Sequence, residues 1–239
     1  MFALAIRKYL EKHGFEALRP KAVLFDMDGV LYNSMPNHAI AWQQSMAQFD
    51  IVMTAEDAYA TEGARGVDTI REMVWAQQHR TISTDEAMRM YQKKAEIFHS
   101  MPQAVIFDGV FDLMQLFKDS GCAIGIVTGS AQRPLIARML ADFADFVDES
   151  RVVTAYDVER GKPAPDPYLM GMEKCGCTDA KRCLVIENAP LGVEAAVAAG
   201  CRTMAVNTGP LADDVLAKKG AERVFKTLRE LHDFWVQSS

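Results

Sequence analysis

Short apolar runs alternate with amphipathic stretches along most of the chain. The runs are hydrophobic at almost every position, which is typical of strands that are buried on both faces of a parallel sheet. Strands are predicted at residues 21–25, 122–127, 183–186 and 203–206. Helices are predicted between and after them, at residues 111–118, 134–140 and 189–199. Strands that alternate with helices predict an α/β fold with a Rossmann-like, doubly wound parallel sheet.

The segment of residues 33–101 has a different pattern. It contains almost no strand-like run, and it is predicted to be helical throughout. Helices are predicted there at residues 36–48, 55–61, 67–78 and 84–99. We therefore predict a core domain of residues 1–32 and 102–239, and a helical-bundle cap domain of residues 33–101 inserted after the first strand.

Residues 1–20 precede the first predicted strand. Charges at positions 7, 8, 11 and 12 interrupt their apolar residues, and Pro20 ends the pattern. This predicts an N-terminal helical extension of the core domain and not a signal peptide. No apolar run approaches the roughly 20 residues that a helix needs to span a bilayer, so we expect a cytoplasmic protein with no membrane partner.

Composition narrows the classes of function. The 239 residues are 49% hydrophobic and 24% charged, as in an ordinary globular protein. The net charge of −6 disfavours a nucleic acid partner, because a basic surface supplies most of the affinity for nucleic acid. The five cysteines lack the spacing of zinc or redox sites, which favours free thiols in a reducing compartment. We expect a monomer or a weak homo-oligomer.

Two acidic residues, Asp26 and Asp28, follow the first predicted strand and precede Gly29. Side chains two residues apart in an extended chain point the same way, so the two carboxylates lie close together and repel each other. A hard divalent cation relieves this repulsion, and Mg²⁺ prefers oxygen ligands of this kind. The alternative is a turn with two surface aspartates, but the apolar run before them argues against an arbitrary loop.

Two further segments offer groups that bind phosphate. Thr128 has a hydroxyl, and the amides of Gly129 and Ser130 follow it at a predicted strand-to-helix turn, which is a natural phosphate cradle. Lys162 precedes the proline-rich segment 163–167, whose stiffness would hold the charge in one place. The alternatives are a purely structural turn and a lysine that faces solvent.

Glu187 and Asn188 follow the third predicted strand and precede a helix. Both side chains offer oxygen atoms to a cation, directly or through water. The alternative for Asn188 is a role as the N-cap of that helix. Because ligands bind beyond the carboxyl ends of parallel strands, all of these polar segments are predicted to meet at one site.

Together these segments resemble the four motifs of the haloacid dehalogenase-like (HAD) superfamily of phosphotransferases. Their order and spacing match, and the resemblance covers nearly the whole chain from about residue 21. The matching segments are residues 26–30, 127–130, 161–168 and 186–195. The predicted cap is similar to the helical cap of the β-phosphoglucomutase-like branch.

The resemblance implies a role for residues of the first three motifs. Asp26 would attack phosphorus and carry an aspartyl phosphate, and Asp28 would protonate the leaving oxygen and then activate water. Thr128 and Lys162 would hold the phosphoryl oxygens, where negative charge is stabilised. The substrate would be a small phosphorylated molecule.

The resemblance also implies a Mg²⁺ cofactor. Its ligands would be an oxygen of Asp26, the main-chain carbonyl of Asp28, and the pair Glu187 and Asn188. The family usually has an aspartate where this chain has Asn188. The loss of one negative charge is expected to weaken Mg²⁺ binding unless Glu187 compensates.

The cap loop of residues 61–66 is expected to select the substrate. Glu62 would repel a second phosphate unless a metal ion or a proton lies between them, whereas Arg65 would attract one. The alternative is that both are solvated turn charges. Residues 62–63, 33–36 and 187–190 also resemble segments of bacterial HAD-type inorganic pyrophosphatases. This resemblance implies that Glu62 is an extra metal ligand and that His38 contacts the leaving phosphate. The alternative for His38 is a packing role in the first cap helix.

Inorganic pyrophosphate is therefore the leading specific substrate. A β-phosphoglucomutase needs cationic cap residues for a bisphosphorylated intermediate, whereas the cap loop offers one glutamate and one arginine. A sugar-phosphate phosphatase remains an alternative. A phosphonatase needs a cap lysine for a Schiff base, and residues 33–71 contain none. A binding protein without activity would have lost the nucleophile or the acid, and both are present.

Overall fold

In the computed structural model, which describes residues 19–238, six parallel strands form one sheet. The strands are β1 (Ala22–Phe25), β2 (Ala123–Val127), β3 (Val152–Val153), β4 (Cys183–Glu187), β5 (Arg202–Val206) and β6 (Arg223–Phe225). Their order across the sheet is β3-β2-β1-β4-β5-β6. All four predicted strands are present. The other two, β3 and β6, have two and three residues, which is too short for a recognisable apolar run.

The first four helices after β1 agree with the predicted cap helices to within one residue at each end. They are α1 (Met35–Ala47), α2 (Ala55–Ala60), α3 (Gly66–Gln78) and α4 (Thr84–His99). Thr54 and Ser83 start α2 and α4, because each side chain accepts a hydrogen bond from a main-chain N–H in the first turn. The four helices enclose their own apolar cluster, which includes Trp42, Met46, Ile70, Val74 and Met90. This separate cluster supports the predicted cap, and the exact domain boundaries stay a prediction.

The remaining helices cover both faces of the sheet. They are α5 (Val110–Asp119), α6 (Arg133–Asp142), α7 (Asp166–Lys174), α8 (Pro190–Ala198), α9 (Asp213–Lys218) and α10 (Leu228–Ser238). Val23 and Phe25 of β1 pack with residues of α5, α6 and α10, whereas Ala22 and Leu24 pack with residues of α7 and α8. Both faces of the sheet are therefore buried, and the predicted doubly wound α/β fold is confirmed.

The register of the sheet brings the polar segments to one edge. Phe25, the last residue of β1, pairs with Ile126 of β2 and with Ile186 of β4. The segments that follow these three positions, which contain Asp26, Thr128 and Glu187, therefore lie side by side at the carboxyl edge of the sheet. The main-chain N–H of Asp26 also donates to the carbonyl of Ile186 at 3.0 Å, which fixes the start of the first motif against β4.

Three further predictions concern the chain as a whole. The helix predicted at residues 1–20 lies outside the described residues, apart from its last two positions. Between residues 19 and 238, no helix combines the length and the apolar character that crossing a membrane requires. All five cysteines are free thiols, as their spacing predicts.

Candidate active site

Lys162 lies at the centre of a buried charge cluster at the carboxyl edge of the sheet. Its Nζ atom donates to Asp26 Oδ1 at 2.6 Å, to Glu187 Oε1 at 2.7 Å and to the main-chain carbonyl of Val127 at 3.2 Å. The side chains of the lysine and of both acids are at most 4% exposed. The structure therefore holds the predicted point charge directly against the predicted nucleophile.

The electrostatics of this cluster depend on burial and on like charges. Burial raises the pKa of Asp26 to about 8 against the lowering effect of Lys162, and Glu187 adds to the rise. Burial acts to lower the pKa of Lys162, but Asp26 and Glu187 outweigh it and raise that pKa above its ordinary range. The lysine therefore stays charged, whereas full ionisation of Asp26 requires more positive charge nearby.

Glu187 is engaged at both carboxylate oxygens. Oε1 accepts from Lys162 and from the hydroxyl of Tyr168, the latter at 2.6 Å. Oε2 accepts from the main-chain N–H groups of Asn188 and Ala189, at 2.9 and 3.0 Å, where helix α8 begins. Glu187 thus fixes Lys162, and the predicted role as a metal ligand would require it to release these partners. Tyr168, which donates to Glu187, is not among the predicted site residues. Its place in the third motif is its only signal in the sequence.

Asp28 is buried and is held by residues from the linker and from the first cap helix. Its Oδ1 accepts from Ser34 Oγ at 2.6 Å and lies 3.2 Å from His38 Nε2. Burial acts to raise the pKa of Asp28, but His38 and the hydrogen bonds from His38 and Ser34 outweigh it and hold that pKa below its ordinary value. The structure therefore places His38 on the predicted acid–base residue, where it orients the carboxylate.

Lys94 of α4 contacts His38 and so extends the contacts of Asp28 into the cap. It is not among the site residues predicted from the sequence. Its Nζ lies 2.6 Å from His38 Nδ1 and packs over the rings of Trp42 and Phe98, 5.0 and 5.2 Å from their centroids. Burial lowers the pKa of Lys94 to about 8. An ammonium group only donates, so Nδ1 of His38 accepts and Nε2 carries the proton that faces Asp28. A second cation therefore lies in the cap above the carboxylates.

A signal for Lys94 does exist in the sequence. The buried residues of α4 are Ala87, Met90, Lys94 and Phe98, so the lysine occupies a position on the apolar face of an amphipathic helix. A charge at such a position is costly unless it is paired. Lysine is absent from residues 33–71, but Lys94 in the second half of the cap supplies a cation to the site. The absence of lysine from the first half therefore does not exclude a phosphonatase.

The cap loop that contains Glu62 closes directly over the turn that is predicted to bind phosphate. A Cβ atom at Gly129 would lie 2.6 Å from the carbonyl oxygen of Gly63, and one at Gly63 would lie 3.1 Å from Lys162 Cδ. Gly63 has a φ of +87°, which also favours glycine there. Burial and the neighbouring carboxylates of Asp28 and Asp26 raise the pKa of Glu62 to about 8. The structure therefore brings Glu62 to the two aspartates, as predicted.

The predicted phosphate cradle forms a compact turn after β2. The main-chain N–H of Thr128 donates to Val153 of β3 at 2.9 Å, and its Oγ1 accepts from the N–H of Ser130 at 3.0 Å. Ser130 Oγ in turn accepts from the N–H of Gln132 at 3.2 Å. The turn is therefore fixed by its own side chains, with Gly129 facing the cap loop.

Arg65 is a predicted site residue whose side chain the structure directs away from the carboxylates. Its Nε donates to Asp68 Oδ2 at 2.7 Å, and Nη1 donates to the main-chain carbonyl of Glu159. In this arrangement the guanidinium does not face the cavity between the cap and the core, and its predicted attraction for a phosphate stays a prediction. The physical reason for this orientation is its position at the start of α3, which directs the side chain to the outside of the loop.

A cavity of about 40 Å³ remains between the cap and the core, which is room for a few water molecules. Residues from both sides line it, among them Asp28, His38, Glu62, Tyr91, Lys94, Ser130 and Gln132. Only a compact group fits here without movement of the cap.

The residues present fit a hard divalent cation. Among residues 19–238, no three acidic, histidine or cysteine side chains form a metal site by themselves. However, Asn188 Oδ1 is a buried oxygen without a hydrogen-bond partner, and its side chain packs against Gly29, next to Asp28. An orphaned oxygen beside carboxylates that repel each other is a typical Mg²⁺ donor set.

Comparison with known proteins agrees with this geometry. A family model of haloacid dehalogenase-like hydrolases matches residues 20–200. The chain belongs to this family and is therefore a hydrolase by class, which confirms the predicted resemblance.

Individual relatives cover almost the same length. Hexitol phosphatase A of Escherichia coli (strain K12) is 30% identical over 192 residues, which are 80% of this chain and 84% of that protein. Beta-phosphoglucomutase of Bacillus subtilis (strain 168) is 25% identical over 224 residues, which are 91% of this chain and 96% of that protein. A solved structure from Bacteroides vulgatus, provisionally named a beta-phosphoglucomutase, is 42% identical, has a TM-score of 0.90, and aligns over 98% of this chain and 95% of its own.

Proposed function

We propose that this protein is a Mg²⁺-dependent phosphohydrolase that acts on a small phosphorylated molecule through an aspartyl phosphate on Asp26. The observation that carries this proposal is the buried cluster in which Lys162 contacts Asp26, with Asp28 beside it and the unpartnered oxygen of Asn188 next to them. Named relatives that are phosphatases and phosphoglucomutases support phosphoryl chemistry. We extend the proposal to a cytoplasmic protein that is a monomer or a weak homo-oligomer.

The residues divide the work of the reaction. An Asp26 oxygen attacks phosphorus, and the bond from phosphorus to the leaving oxygen breaks. Asp28, whose pKa is held low, must take up a proton beforehand and passes that proton to the leaving oxygen. In the second half, Asp28 takes a proton from water, which attacks phosphorus and releases Asp26. Lys162 and the turn at Thr128 bind the phosphoryl oxygens, and His38 keeps one oxygen of Asp28 occupied so that the other faces the substrate.

Mg²⁺ would be held by Asp26, by the main-chain carbonyl of Asp28 and by Asn188. When bound, it supplies positive charge that neutralises the phosphoryl oxygens and relieves the repulsion between the carboxylates. It also supplies the charge that Asp26, with a pKa raised to about 8, needs in order to stay ionised at neutral pH.

Removal of the metal is expected to stop turnover. Because Asp26 and Asp28 repel each other and the Asn188 oxygen has no protein partner, we expect EDTA to abolish phosphate release and an excess of Mg²⁺ to restore it. Phosphate release is measured before and after chelation, with EDTA already saturated with Mg²⁺ as the control. Full activity in free EDTA after dialysis would rule out the metal.

Inorganic pyrophosphate is the specific substrate that we propose. Glu62 lies near both aspartates in the roof of a cavity of about 40 Å³, which suits a compact substrate. Lys94 would supply a cation beside the leaving phosphate. The N–H of His38 donates to Asp28, so a contact of His38 with that phosphate would require it to release Asp28. A carboxylate in this position repels a bare second phosphate, so Glu62 would act as an additional ligand of a metal ion bound between them.

The selectivity of Glu62 can be tested by substitution. We expect Glu62→Ala to lower kcat/KM for pyrophosphate by about tenfold or more, with a much smaller effect on acetyl phosphate, which has no second phosphate. Glu56→Gln, an exposed change on α2, is the matched control and should alter neither activity. An equal loss with both substrates would remove Glu62 from substrate selection.

A sugar-phosphate phosphatase is the second candidate, because hexitol phosphatase A is 30% identical to this chain. A hexose phosphate is larger than the cavity of about 40 Å³ beside Glu62, so binding there would require the cap to move. A screen of phosphate release from pyrophosphate, hexose phosphates and nucleotides with Mg²⁺ separates the two candidates. Isomerisation of β-glucose 1-phosphate in preference to any hydrolysis would instead identify a mutase.

A further inference from the structure

Arg65 joins the cap to the core outside the cavity. The residue precedes α3, and its guanidinium donates from Nη1 to the main-chain carbonyl of Glu159 in the core loop. Asp68, one turn along α3, accepts from Nε at 2.7 Å and so holds the guanidinium in place from the cap side. The arginine side chain is 30% exposed, so it lies at the rim of the domain contact.

The aliphatic part of Arg65 packs on the residue that precedes Lys162. A Cβ atom at Gly161 would lie 2.7 Å from Arg65 Cγ, so the close approach of the two chains requires a glycine there. On the same cap loop, Gly63 approaches Lys162 Cδ. Two positions of the cap loop therefore contact two successive residues of the core loop.

This arrangement links two parts of the site that are far apart in sequence. One loop carries Glu62, which the cap places above the carboxylates, and the other carries Lys162, which contacts Asp26. A shift of either loop by about 1 Å would change the geometry at the reacting atoms, and misplacements of that size are costly to catalysis.

We propose that Arg65 is a positioning residue that latches the cap loop onto the core loop. It thereby fixes the positions of Glu62 and Lys162 relative to each other when the cap is closed. This inference rests on the proposed function in one respect, because one of its tests measures turnover. Arg65 does not touch the substrate in this account. Its contribution is a charge-assisted hydrogen bond to a carbonyl and the packing of its stem against Gly161.

The experiment compares Arg65→Ala with Arg71→Ala. Arg71 lies on α3, forms an ion pair with Asp68 at 3.7 Å and donates a hydrogen bond to Thr84 within the cap, so it serves as a matched control. We expect Arg65→Ala to lower kcat/KM about tenfold for pyrophosphate and for acetyl phosphate alike, and Arg71→Ala to leave both unchanged. A loss confined to pyrophosphate would show that Arg65 binds the second phosphate and would overturn the latch.

A double-mutant cycle with Gly161 adds a readout that a substrate contact would not move. We expect Gly161→Ala to lower activity in the unmodified chain, because the new methyl group displaces the arginine stem. In the Arg65→Ala background the methyl group has room, so the same change should cost little. Additive effects of the two changes would contradict the latch.

Amide hydrogen exchange tests the latch without turnover. We expect Arg65→Ala to increase exchange in both loops, residues 61–66 and 159–163, whereas Arg71→Ala should change neither. Unchanged exchange in the Arg65 variant would overturn the proposal. If the unmodified chain hydrolyses neither substrate, the proposed function fails, and the exchange result still decides whether the latch exists.

Discussion

Asp26→Asn is expected to abolish turnover, with a loss of kcat on the order of 10⁴-fold or more. The amide nitrogen and the neutral oxygen of asparagine are poor nucleophiles, so the aspartyl phosphate does not form. The fold should persist, because burial raises the pKa of Asp26 to about 8 and the site therefore tolerates a neutral side chain of this shape. Lys162 keeps its bond to Glu187 in this variant.

The measurement is phosphate release together with a urea unfolding curve for each variant. Asp145→Asn changes an exposed aspartate outside the site and should leave both results unaltered. Substantial turnover by a folded Asp26→Asn variant would remove Asp26 from the role of nucleophile.

Lys162→Met should have the largest effect on stability. The change leaves Asp26 and Glu187 buried without their counter-charge, and loss of one partner from a buried ion pair costs about 3–5 kcal/mol. That is a large part of the roughly 5–15 kcal/mol that stabilises a typical domain. Activity should also fall by at least about a hundredfold, because the phosphoryl oxygens lose a positioned cation.

Two further variants test whether the loss of stability comes from the missing charge or from altered packing. Lys162→Met combined with Glu187→Gln removes one stranded charge, so it should recover part of the unfolding free energy and none of the activity. Lys218→Met removes a lysine whose side chain is 75% exposed and should change the unfolding free energy by less than about 1 kcal/mol. If Lys162→Met unfolds at the same urea concentration as the unmodified chain, the buried cluster does not contribute as described.

The parts of the fold that sequence predicts are those with a strong local signal. β1, β2, β4 and β5 each contain an apolar run, and the cap helices have clear periodicity and capping residues. The strands β3 and β6 depend on pairing with β2 and β5, because two or three residues carry no periodicity of their own.

The site residues also divide into contacts that the sequence predicts and contacts that it does not. Asp26, Thr128 and Glu187 could be predicted to meet because each lies at the carboxyl end of a strand in one parallel sheet. Whether Glu187 binds a metal or holds Lys162 depends on side-chain contacts that spacing does not specify.

The limit of prediction from sequence is clearest for two residues of the cap. Lys94 is 66 positions from Asp28, and only the packing of α4 against α1 brings it to His38. Arg65 has the charge for a phosphate ligand, yet its place at the start of α3 directs it to Glu159. Residue type and position in the sequence therefore predict that the core motifs meet at one edge of the sheet, whereas the contacts of Lys94 and Arg65 depend on the packing of the cap.

The most direct test of the central proposal is to trap the phosphorylated enzyme. The unmodified chain is mixed with pyrophosphate and Mg²⁺, quenched rapidly with acid, and mapped by peptide mass spectrometry. We predict a phosphoryl group on the peptide that contains Asp26, absent from the Asp26→Asn variant and lost when turnover ends. Rapid release of phosphate with no phosphorylated Asp26 at any quench time, or with the phosphoryl group on another residue, would contradict the account.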